Sequence, residues 1–126
     1  MDRKLSTIQK RNNLNSIYRM GDVGPGGAYH DYIVVLDESS RWPEVDDAEV
    51  IISFQKGPRK DKDADHGVLD NDLLEIVRDR LRYFQQGDFA CHENEMALIH
   101  VEEALMWMNR RAEDRAERNV LGTYNK

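Results

Sequence analysis

The sequence contains a single cysteine, Cys91, so no disulfide can form within the chain. A domain without disulfides is typical of a reducing compartment. No apolar run approaches the ~18 residues that a membrane span needs, and the first residues are polar and lack the apolar centre of a signal peptide. These absences predict a soluble cytoplasmic protein without a membrane partner.

Positive charges are also outnumbered by negative charges. The chain carries 18 Lys and Arg against 24 Asp and Glu, which gives a net charge of −6. Nucleic-acid-binding proteins are usually basic, so this balance argues against DNA as a partner. The length of 126 residues fits one domain. We interpret the basic residues 1–14 as an arm, either partly helical or disordered, and residues 15–126 as a single domain.

The first half of the domain has the pattern of β-structure. Three segments are rich in β-branched and aromatic residues and are separated by glycine- or proline-containing turns. No helical pattern lies between them, so residues 15–58 are predicted to form a small antiparallel sheet of about three strands, with a loop over residues 37–47. The predicted strands are Ser16–Met20, Tyr29–Leu36 and Ala48–Gln55.

The second half predicts two helices. Apolar residues recur at helical spacing from Asn71 to Gln86, with Asp70 as the predicted N-cap and Gly87 as a left-handed stop. A longer helix is predicted from His92 to about Arg118. Residues 69–119 are therefore interpreted as a helical hairpin and residues 120–126 as a tail, and the whole as an α+β fold.

Three consecutive large apolar residues, Met106, Trp107 and Met108, cover most of the circumference of the longer helix. The face of a single neighbouring helix cannot bury all three. They therefore indicate an oligomer interface, with a homodimer as the simplest assembly. The alternative is that Trp107 is half-exposed in a monomer.

The end of the longer helix carries spaced arginines. Arg111 and Arg115 are four residues apart, and Arg118 lies one turn further along the same face. Guanidinium groups match phosphate oxygens in bidentate geometry, so this face is a candidate phosphate site. Because acidic residues are interleaved with the arginines, a solvated face of ion pairs is the alternative.

Asn94 lies 17 residues before Arg111 on the same predicted helix, which separates the two by ~25 Å. One small ligand cannot contact both residues of one chain. If two copies pack these helices antiparallel, Asn94 of one copy approaches Arg111 of the other, and two equivalent pockets result, each with an amide able to read adenine. Phe84 can add an aromatic face for a base, although a place in the core is the alternative.

Enzymatic alternatives have weaker support. The histidines and Cys91 lack zinc-ligand spacing, so no metal or other cofactor is predicted. Acidic residues on the helices, Glu102 and Glu103 among them, resemble those of all-α nucleotide pyrophosphohydrolases, which hold magnesium, but the matching ExxE and ExxD motifs are missing. A small dimeric regulatory or nucleic-acid-binding protein that uses the basic arm is the remaining alternative.

Several motifs resemble those of a family of small phage proteins, the first class of anti-Thoeris proteins, which are sponges for cyclic ADP-ribose isomers. The resemblance covers about residues 16–126 and includes the segments GDVGPGGAYHDYIVV and SFQKGPRK. The helical hairpin is similar to that of anti-CBASS sponges of cyclic oligonucleotides. The most specific motif, CxEN…EEALMWxNxR with a following GTxxK, is formed here by Cys91, Glu93, Asn94, Glu102–Trp107, Asn109, Arg111, Gly122, Thr123 and Lys126.

The resemblance implies that the protein is not an enzyme. It implies sequestration, in the cytoplasm of the infected bacterium, of cyclic ADP-ribose isomers of the gcADPR type that TIR-domain immune enzymes make. Some family members also bind cyclic di- and trinucleotides, and the family assembles as dimers that can join into hexamers. The ligand residues implied are Arg59, Phe84, Asn94, Arg111 and Arg115, with Arg118 and Thr123 implied for a second site or the tail.

The sequence departs from the family pattern at three positions. Lys56 replaces the asparagine of the usual QNGP motif. Asn119 and Leu121 replace the glycine and glutamate of the usual RGVEGT motif. Asn119 can still adopt the left-handed conformation after a helix, whereas Leu121 removes a charge from the tail.

Overall fold

The structure is a computed structural model that describes residues 3–11, 14–36 and 48–126. The chain divides into two compact units. The sheet unit comprises Met1–Gly57 and Asp65–Gly67, and the hairpin unit comprises Pro58–Ala64 and Val68–Lys126. A three-stranded antiparallel sheet precedes two helices, which confirms the predicted α+β fold.

The sheet unit contains β1 (Ser16–Met20), β2 (Asp31–Val35) and β3 (Glu49–Ser53) in the order β1-β2-β3. Both pairs are antiparallel, as predicted, and the register places Ile33 of β2 opposite Tyr18 and Ile51. β1 has the predicted bounds, while β2 and β3 are shorter than predicted at both ends. The loop predicted over residues 37–47 lies outside the described residues.

The glycine-rich segment between β1 and β2 forms a short 3-10 helix at Pro25–Gly27. Gly26 and Gly27 have φ angles of 79° and 82°, which residues with a Cβ rarely adopt. Nε2 of the His30 ring lies 2.8 Å from the carbonyl oxygen of Pro25. This bond closes the turn immediately before β2 begins.

The predicted N-terminal arm begins with residues that pair with the sheet. Lys4 forms an antiparallel bridge with Tyr18, and the Leu5 amide donates to the Ile17 carbonyl at 2.9 Å. Arg3 Nη1 donates to the Gly21 carbonyl at 2.7 Å. The free edge of β1 is therefore covered along part of its length, which limits unwanted strand pairing.

The hairpin unit contains α1 (Asp70–Gln85) and α2 (His92–Glu117). The side chain of Gln85 joins the two helices: its amide accepts from the Cys91 backbone amide at 3.0 Å and donates to the Cys91 carbonyl at 3.1 Å. The Gln85 side chain thus supplies the partner that the Cys91 amide lacks at the start of α2, and it shares the Cys91 carbonyl with the Glu95 amide.

Two predicted helix boundaries are wrong. The N-cap of α1 is Leu69 rather than Asp70; Asp72 stabilises this end because its carboxylate accepts from the Leu69 amide at 2.9 Å. Gly87 is not left-handed. Instead, its amide donates to the Phe84 carbonyl at 3.2 Å, so the chain leaves α1 through a continued tight turn.

The end of α2 follows the prediction closely. Asn119 has a φ angle of 58°, and its amide donates to the Ala116 carbonyl at 3.0 Å. The Val120 amide donates to the Arg115 carbonyl at 2.9 Å. These two bonds form a Schellman motif, which confirms that Asn119 takes the left-handed position.

Among the described residues, none of the apolar side chains is fully buried in the single chain. On α1, Ile76 is 58 % exposed, and on α2, Met106 and Trp107 are each 56 % exposed. A pair of packed helices normally buries such residues between them. The hairpin unit therefore presents apolar surface outward. Within the described part of the chain, neither helix has the length and apolar composition of a membrane span.

Lys56, one of the departures from the family pattern, forms an ion pair in the sheet unit. Its Nζ lies 2.7 Å from Oδ2 of Asp31. The hydrogen bond from Lys56, together with one from Ser53, holds the pKa of the Asp31 carboxyl below its ordinary value. The same bond raises the pKa of the Lys56 ammonium.

Replacing Lys56 with methionine is expected to raise the pKa of Asp31 toward its ordinary value, because the main donor to the carboxylate is lost. A depressed carboxyl pKa contributes stability above the unfolded pKa and loses it as pH falls through the folded pKa. Wild type should therefore exceed Lys56→Met in denaturation midpoint at pH 7, and the difference should shrink below about pH 4.

The measurements are the carboxyl NMR titration of Asp31 and denaturant unfolding at both pH values. Lys62→Met is the control, because Lys62 forms no ion pair within the described residues. An Asp31 titration that is unchanged in Lys56→Met would contradict the assignment.

Candidate functional site

The predicted site residues on the hairpin unit fall into two groups. Phe84 and Asn94 lie at the closed end of the hairpin, where α1 passes into α2. Arg111 and Arg115 lie in the last two turns of α2. These two groups, the two clusters of predicted site residues, lie at separate positions along the hairpin unit.

Phe84 occupies the last turn of α1 and is 42 % exposed. The alternative that it is a simple core residue is therefore wrong for the single chain. The guanidinium carbon of Arg80 lies 5.4 Å from the centre of the Phe84 ring, within the range of a cation–π interaction. Sequence reasoning missed Arg80, although its i, i+4 spacing from Phe84 was an available signal.

Asn94 lies in the first turn of α2 and is half-buried. Glu93 and Glu95 flank it, and their charges suit the positive end of the helix dipole. Within the described residues its side-chain amide has no hydrogen-bond partner. Both the donor and the acceptor of this amide are therefore available to a ligand.

Arg111 is exposed and forms neither an ion pair nor a side-chain hydrogen bond within the described part of the chain. The alternative of a face laced with ion pairs applies instead to Arg118, whose Nε lies 3.1 Å from Oδ2 of Asp114. A guanidinium group without a partner keeps its full donor capacity for an anion.

Arg115 is placed differently from its neighbours. It is 9 % exposed and is the one buried side chain among the described residues. Its Nη2 donates to the carbonyls of Val120 and Thr123 at 3.1 and 3.2 Å. Arg115 therefore folds the tail (residues 120–126) back against α2. This role was not predicted from spacing.

Arg59 lies on the loop from Pro58 to Ala64, within the hairpin unit. The Asp61 amide donates to the Pro58 carbonyl at 3.0 Å, so Arg59 and Lys60 are the central residues of a β-turn. Arg59 is exposed and, like Arg111, has no ion pair within the described residues.

The loop that carries Arg59 is bonded to the tail. The Lys60 amide donates to the Gly122 carbonyl at 3.2 Å, and the Tyr124 hydroxyl donates to Oδ2 of Asp61 at 2.9 Å. Since the tail is also held by Arg115, this one segment is bonded both to α2 and to the loop that carries Arg59. Sequence reasoning missed Asp61 and Tyr124, because residues 63 positions apart leave no periodic signal.

The other predicted tail residues form bonds within the chain. Arg118 Nη1 donates to the Lys126 carbonyl at 2.7 Å. The Thr123 hydroxyl donates to the Val120 carbonyl, and the Thr123 oxygen accepts from the Asn125 amide at 3.2 Å. Both side chains therefore stabilise the fold of the tail.

The two clusters are far apart in one chain. Asn94 and Arg111 lie on a continuous α2, and 17 residues of helix correspond to ~25 Å. A groove of about 370 Å³ lies between α1 and α2, and its lining includes Arg78, Glu102 and Met106. In this groove Arg78 Nε lies 2.8 Å from Oε2 of Glu102, so that carboxylate is already paired.

The acidic residues do not form a metal site within the described residues: no group of three His, Cys, Asp or Glu side chains is suitably placed. Glu103 lies 3.9 Å from His100, between Oε2 and Nδ1. Glu102 and Glu103 therefore have different partners, Arg78 and His100, and do not converge on one point.

Comparison with known proteins gives two findings. Residues 46–113, more than half of the chain, match the family described as the Acb2/Tad1 hairpin domain. A curated protein named Thoeris anti-defense 1, from Bacillus phage SBSphiJ7, is 47 % identical over 75 residues, which are 60 % of this chain and 52 % of that protein. The chain thus spans about half the length of this relative.

The matched family region contains α1 and most of α2, and with them Phe84, Asn94 and Arg111. Arg59 also lies inside it, whereas Arg115 and the tail follow it. Given this match over more than half of its length, the chain belongs to the Acb2/Tad1 hairpin family.

Proposed function

We propose that this protein is a phage anti-defence protein that binds cyclic ADP-ribose isomers made by TIR-domain immune enzymes and sequesters them intact in the host cytoplasm. The name of the relative, Thoeris anti-defense 1 from a phage, supports the anti-defence role. Cyclic di- and trinucleotides are further ligands in this proposal. Such a sponge needs tight binding and slow release rather than catalysis; a nanomolar Kd corresponds to about −12 kcal/mol.

The observation that carries the proposal is the availability of Arg59 and Arg111. Both are exposed and neither has an ion-pair partner within the described residues. Each therefore offers an unengaged guanidinium group, whose planar fork is suited to phosphate oxygens.

Phe84 and Asn94 supply the complementary chemistry for a nucleobase. The Phe84 ring is 42 % exposed, so it can stack on a base, and the Asn94 amide can bond in bidentate fashion to adenine. Arg80 on the Phe84 ring adds positive charge beside the base. A ligand with both an adenine and phosphates therefore matches both clusters.

The two clusters can form one pocket only if they come from different chains. The ~25 Å between Asn94 and Arg111 exceeds the reach of a small ligand. In the proposed homodimer, antiparallel α2 helices place the closed end of one hairpin against the arginines of the other. The exposed Met106 and Trp107 supply apolar surface for this contact. Dimers of this kind can join further as trimers of dimers.

Arg115 and the tail residues have secondary places in the proposal. Nη2 of Arg115 is used by the tail, so only Nε and Nη1 remain for phosphate. Arg118 and Thr123 are candidates for a second site, where a ligand would have to compete with their bonds to Asp114 and Val120.

The hydrolase alternative predicts magnesium-dependent turnover that requires Glu102. The pairing of Glu102 with Arg78 at 2.8 Å disfavours it, because a carboxylate neutralised by a guanidinium is a poorer ligand for a hard cation. The nucleic-acid alternative predicts salt-sensitive DNA binding through the arm. The net negative charge disfavours that reading.

The first prediction concerns the fate of the ligand. A cyclic ADP-ribose isomer is incubated with the protein, unbound ligand is removed, and the protein is then denatured by heat. Mass spectrometry of the released material should recover the isomer intact, since binding alone involves no bond cleavage. Native mass spectrometry of the complex before it is heated gives the subunit number and the bound mass. Recovery of a hydrolysed product would favour the enzyme alternative.

The second prediction concerns Arg111. Arg111→Ala should weaken ligand binding by about 30-fold or more. The loss of one charge-assisted contact costs at least ~2 kcal/mol of binding free energy, which corresponds to this factor. Calorimetry measures the affinity, and native mass spectrometry should show an unchanged oligomer. Arg11→Ala, which makes the same charge change outside the hairpin unit, is the control. Equal affinity in a folded Arg111→Ala protein would refute the pocket assignment.

The third prediction tests the two-chain pocket. Asn94→Ala and Arg111→Ala proteins should each bind poorly, but mixed dimers contain one pocket with both native residues. Co-expression with random pairing should therefore restore full-affinity binding to about one quarter of the pockets. A mixture of the two separately purified, non-exchanging proteins is the control. No restored binding in mixed dimers would mean that both residues act from the same chain.

A further inference from the structure

We infer that the tail acts as a positioning element for Arg59: it holds the turn from Pro58 to Asp61 through Gly122 and Tyr124, while Arg115 anchors the tail to α2. The inference concerns how Arg59 is oriented toward a ligand phosphate. In that respect it rests on the proposed function. The contacts themselves stand independently of any ligand.

The turn that carries Arg59 is organised by one residue, Asp61. Its backbone amide closes the turn on the Pro58 carbonyl at 3.0 Å, and its carbonyl accepts from the Ala64 amide at 3.1 Å. Its Oδ1 accepts from the Asp63 amide at 2.9 Å, an Asx-type bond within the loop. The second carboxylate oxygen, Oδ2, remains for a partner outside the loop.

That partner is the Tyr124 hydroxyl, which donates to Oδ2 at 2.9 Å. The Lys60 amide donates to the Gly122 carbonyl at 3.2 Å. These two bonds flank Arg59 on its C-terminal side, one through the backbone and one through a carboxylate. An exposed turn is ordinarily mobile, so two bonds to the anchored tail hold the backbone from which the Arg59 side chain projects.

Gly122 is suited to this contact in two ways. Its φ angle is 77°, which favours glycine. A Cβ at this position would lie 3.0 Å from Cγ of Lys60, so the Lys60 stem packs directly over the glycine. The close approach of loop and tail therefore depends on the absence of a side chain at this position.

The tail is in turn anchored to α2. Arg115 Nη2 donates to the carbonyls of Val120 and Thr123, and the Val120 amide donates to the Arg115 carbonyl at 2.9 Å. A chain of contacts thus runs from the end of α2 through the tail to the Arg59 turn. Since Arg111 lies one helical turn before Arg115, the tail fixes Arg59 relative to the helix that carries the second proposed phosphate-binding residue.

The Tyr124–Asp61 contact has its own spectroscopic signature. The hydrogen bond to Asp61 and the negative charges of Asp61 and Asp63 raise the pKa of the Tyr124 phenol. A group with a raised pKa contributes stability below its unfolded pKa and loses it as pH rises through the folded pKa. The contact should therefore open in alkaline solution, at a pH above that of an ordinary tyrosine.

The test uses Tyr124→Phe, which keeps the ring and removes the hydroxyl, measured in the native and in the Arg59→Ala background. With the cyclic ADP-ribose isomer of the heat-release experiment as the probe, Tyr124→Phe should weaken binding about three- to tenfold, as expected for one lost hydrogen bond. In the Arg59→Ala background it should have no further effect, because the residue being positioned is absent. Equal losses in both backgrounds would overturn the inference.

Ligand-free measurements separate this inference from the proposed function. Hydrogen exchange of the Lys60 amide should be faster in Tyr124→Phe than in wild type. In Asp61→Asn, which keeps an acceptor for the Tyr124 hydroxyl, exchange of the Lys60 amide should stay slow. Asp61→Ala should lower the pKa of Tyr124. Tyr18→Phe is the control, because the Tyr18 hydroxyl has no hydrogen-bond partner within the described residues. Unchanged Lys60 exchange in Tyr124→Phe overturns the inference, whereas failure of the wild-type protein to bind any nucleotide overturns the proposed function.

Discussion

The burial of the Arg115 guanidinium is the interaction on which the arginine-bearing end of the hairpin unit depends. A buried charge is costly unless it is hydrogen-bonded. Here the cost is offset by two backbone carbonyls of the tail, Val120 and Thr123, and by the position of the cation near the negative end of the α2 dipole. The tail therefore cannot leave without exposing the carbonyls and the guanidinium together. This requirement makes the segment after α2 part of the hairpin unit.

The second constraint is the lack of fully buried apolar side chains among the described residues. A hairpin of two helices has only one internal seam, which is too small to cover all large apolar residues of both helices. Met106 lines the groove between α1 and α2, yet Met106 and Trp107 are each 56 % exposed. Since burial of apolar area is the main favourable term in folding and association, a second copy is the simplest source of the missing contacts, and the proposed pocket then arises at that same interface.

Much of the fold could be predicted from local patterns. β1 and the start of α2 have the predicted residues, because strand alternation and helical periodicity are signals of neighbouring residues. Asn119 took the left-handed position expected of a small polar residue. The errors at Asp70 and Gly87 concern helix ends, where backbone bonds such as that of Gly87 to Phe84 decide between several allowed turns.

The candidate site was less predictable, and for a physical reason. Spacing identified Asn94, Arg111 and Arg115 because they share one helix. It did not distinguish the exposed Arg111 from the buried Arg115, since both belong to the same face. That difference arises from the fold of the tail, which depends on contacts such as Tyr124 with Asp61 between residues 63 positions apart. No sequence pattern indicated Arg59, which was predicted as a ligand residue from the family resemblance alone.

A pocket divided between two chains would have a consequence for sequestration. If Phe84 and Asn94 come from one copy and Arg59 and Arg111 from the other, ligand binding and dimer formation are linked, because each stabilises the other by mass action. A ligand that bridges the chains would then tighten the interface that holds it, and release would require the two helices to separate or the Arg59 turn to open. The tail opposes the second route. A sponge gains slow release from this arrangement, whereas an enzyme that must release product at each turnover would be impeded by it.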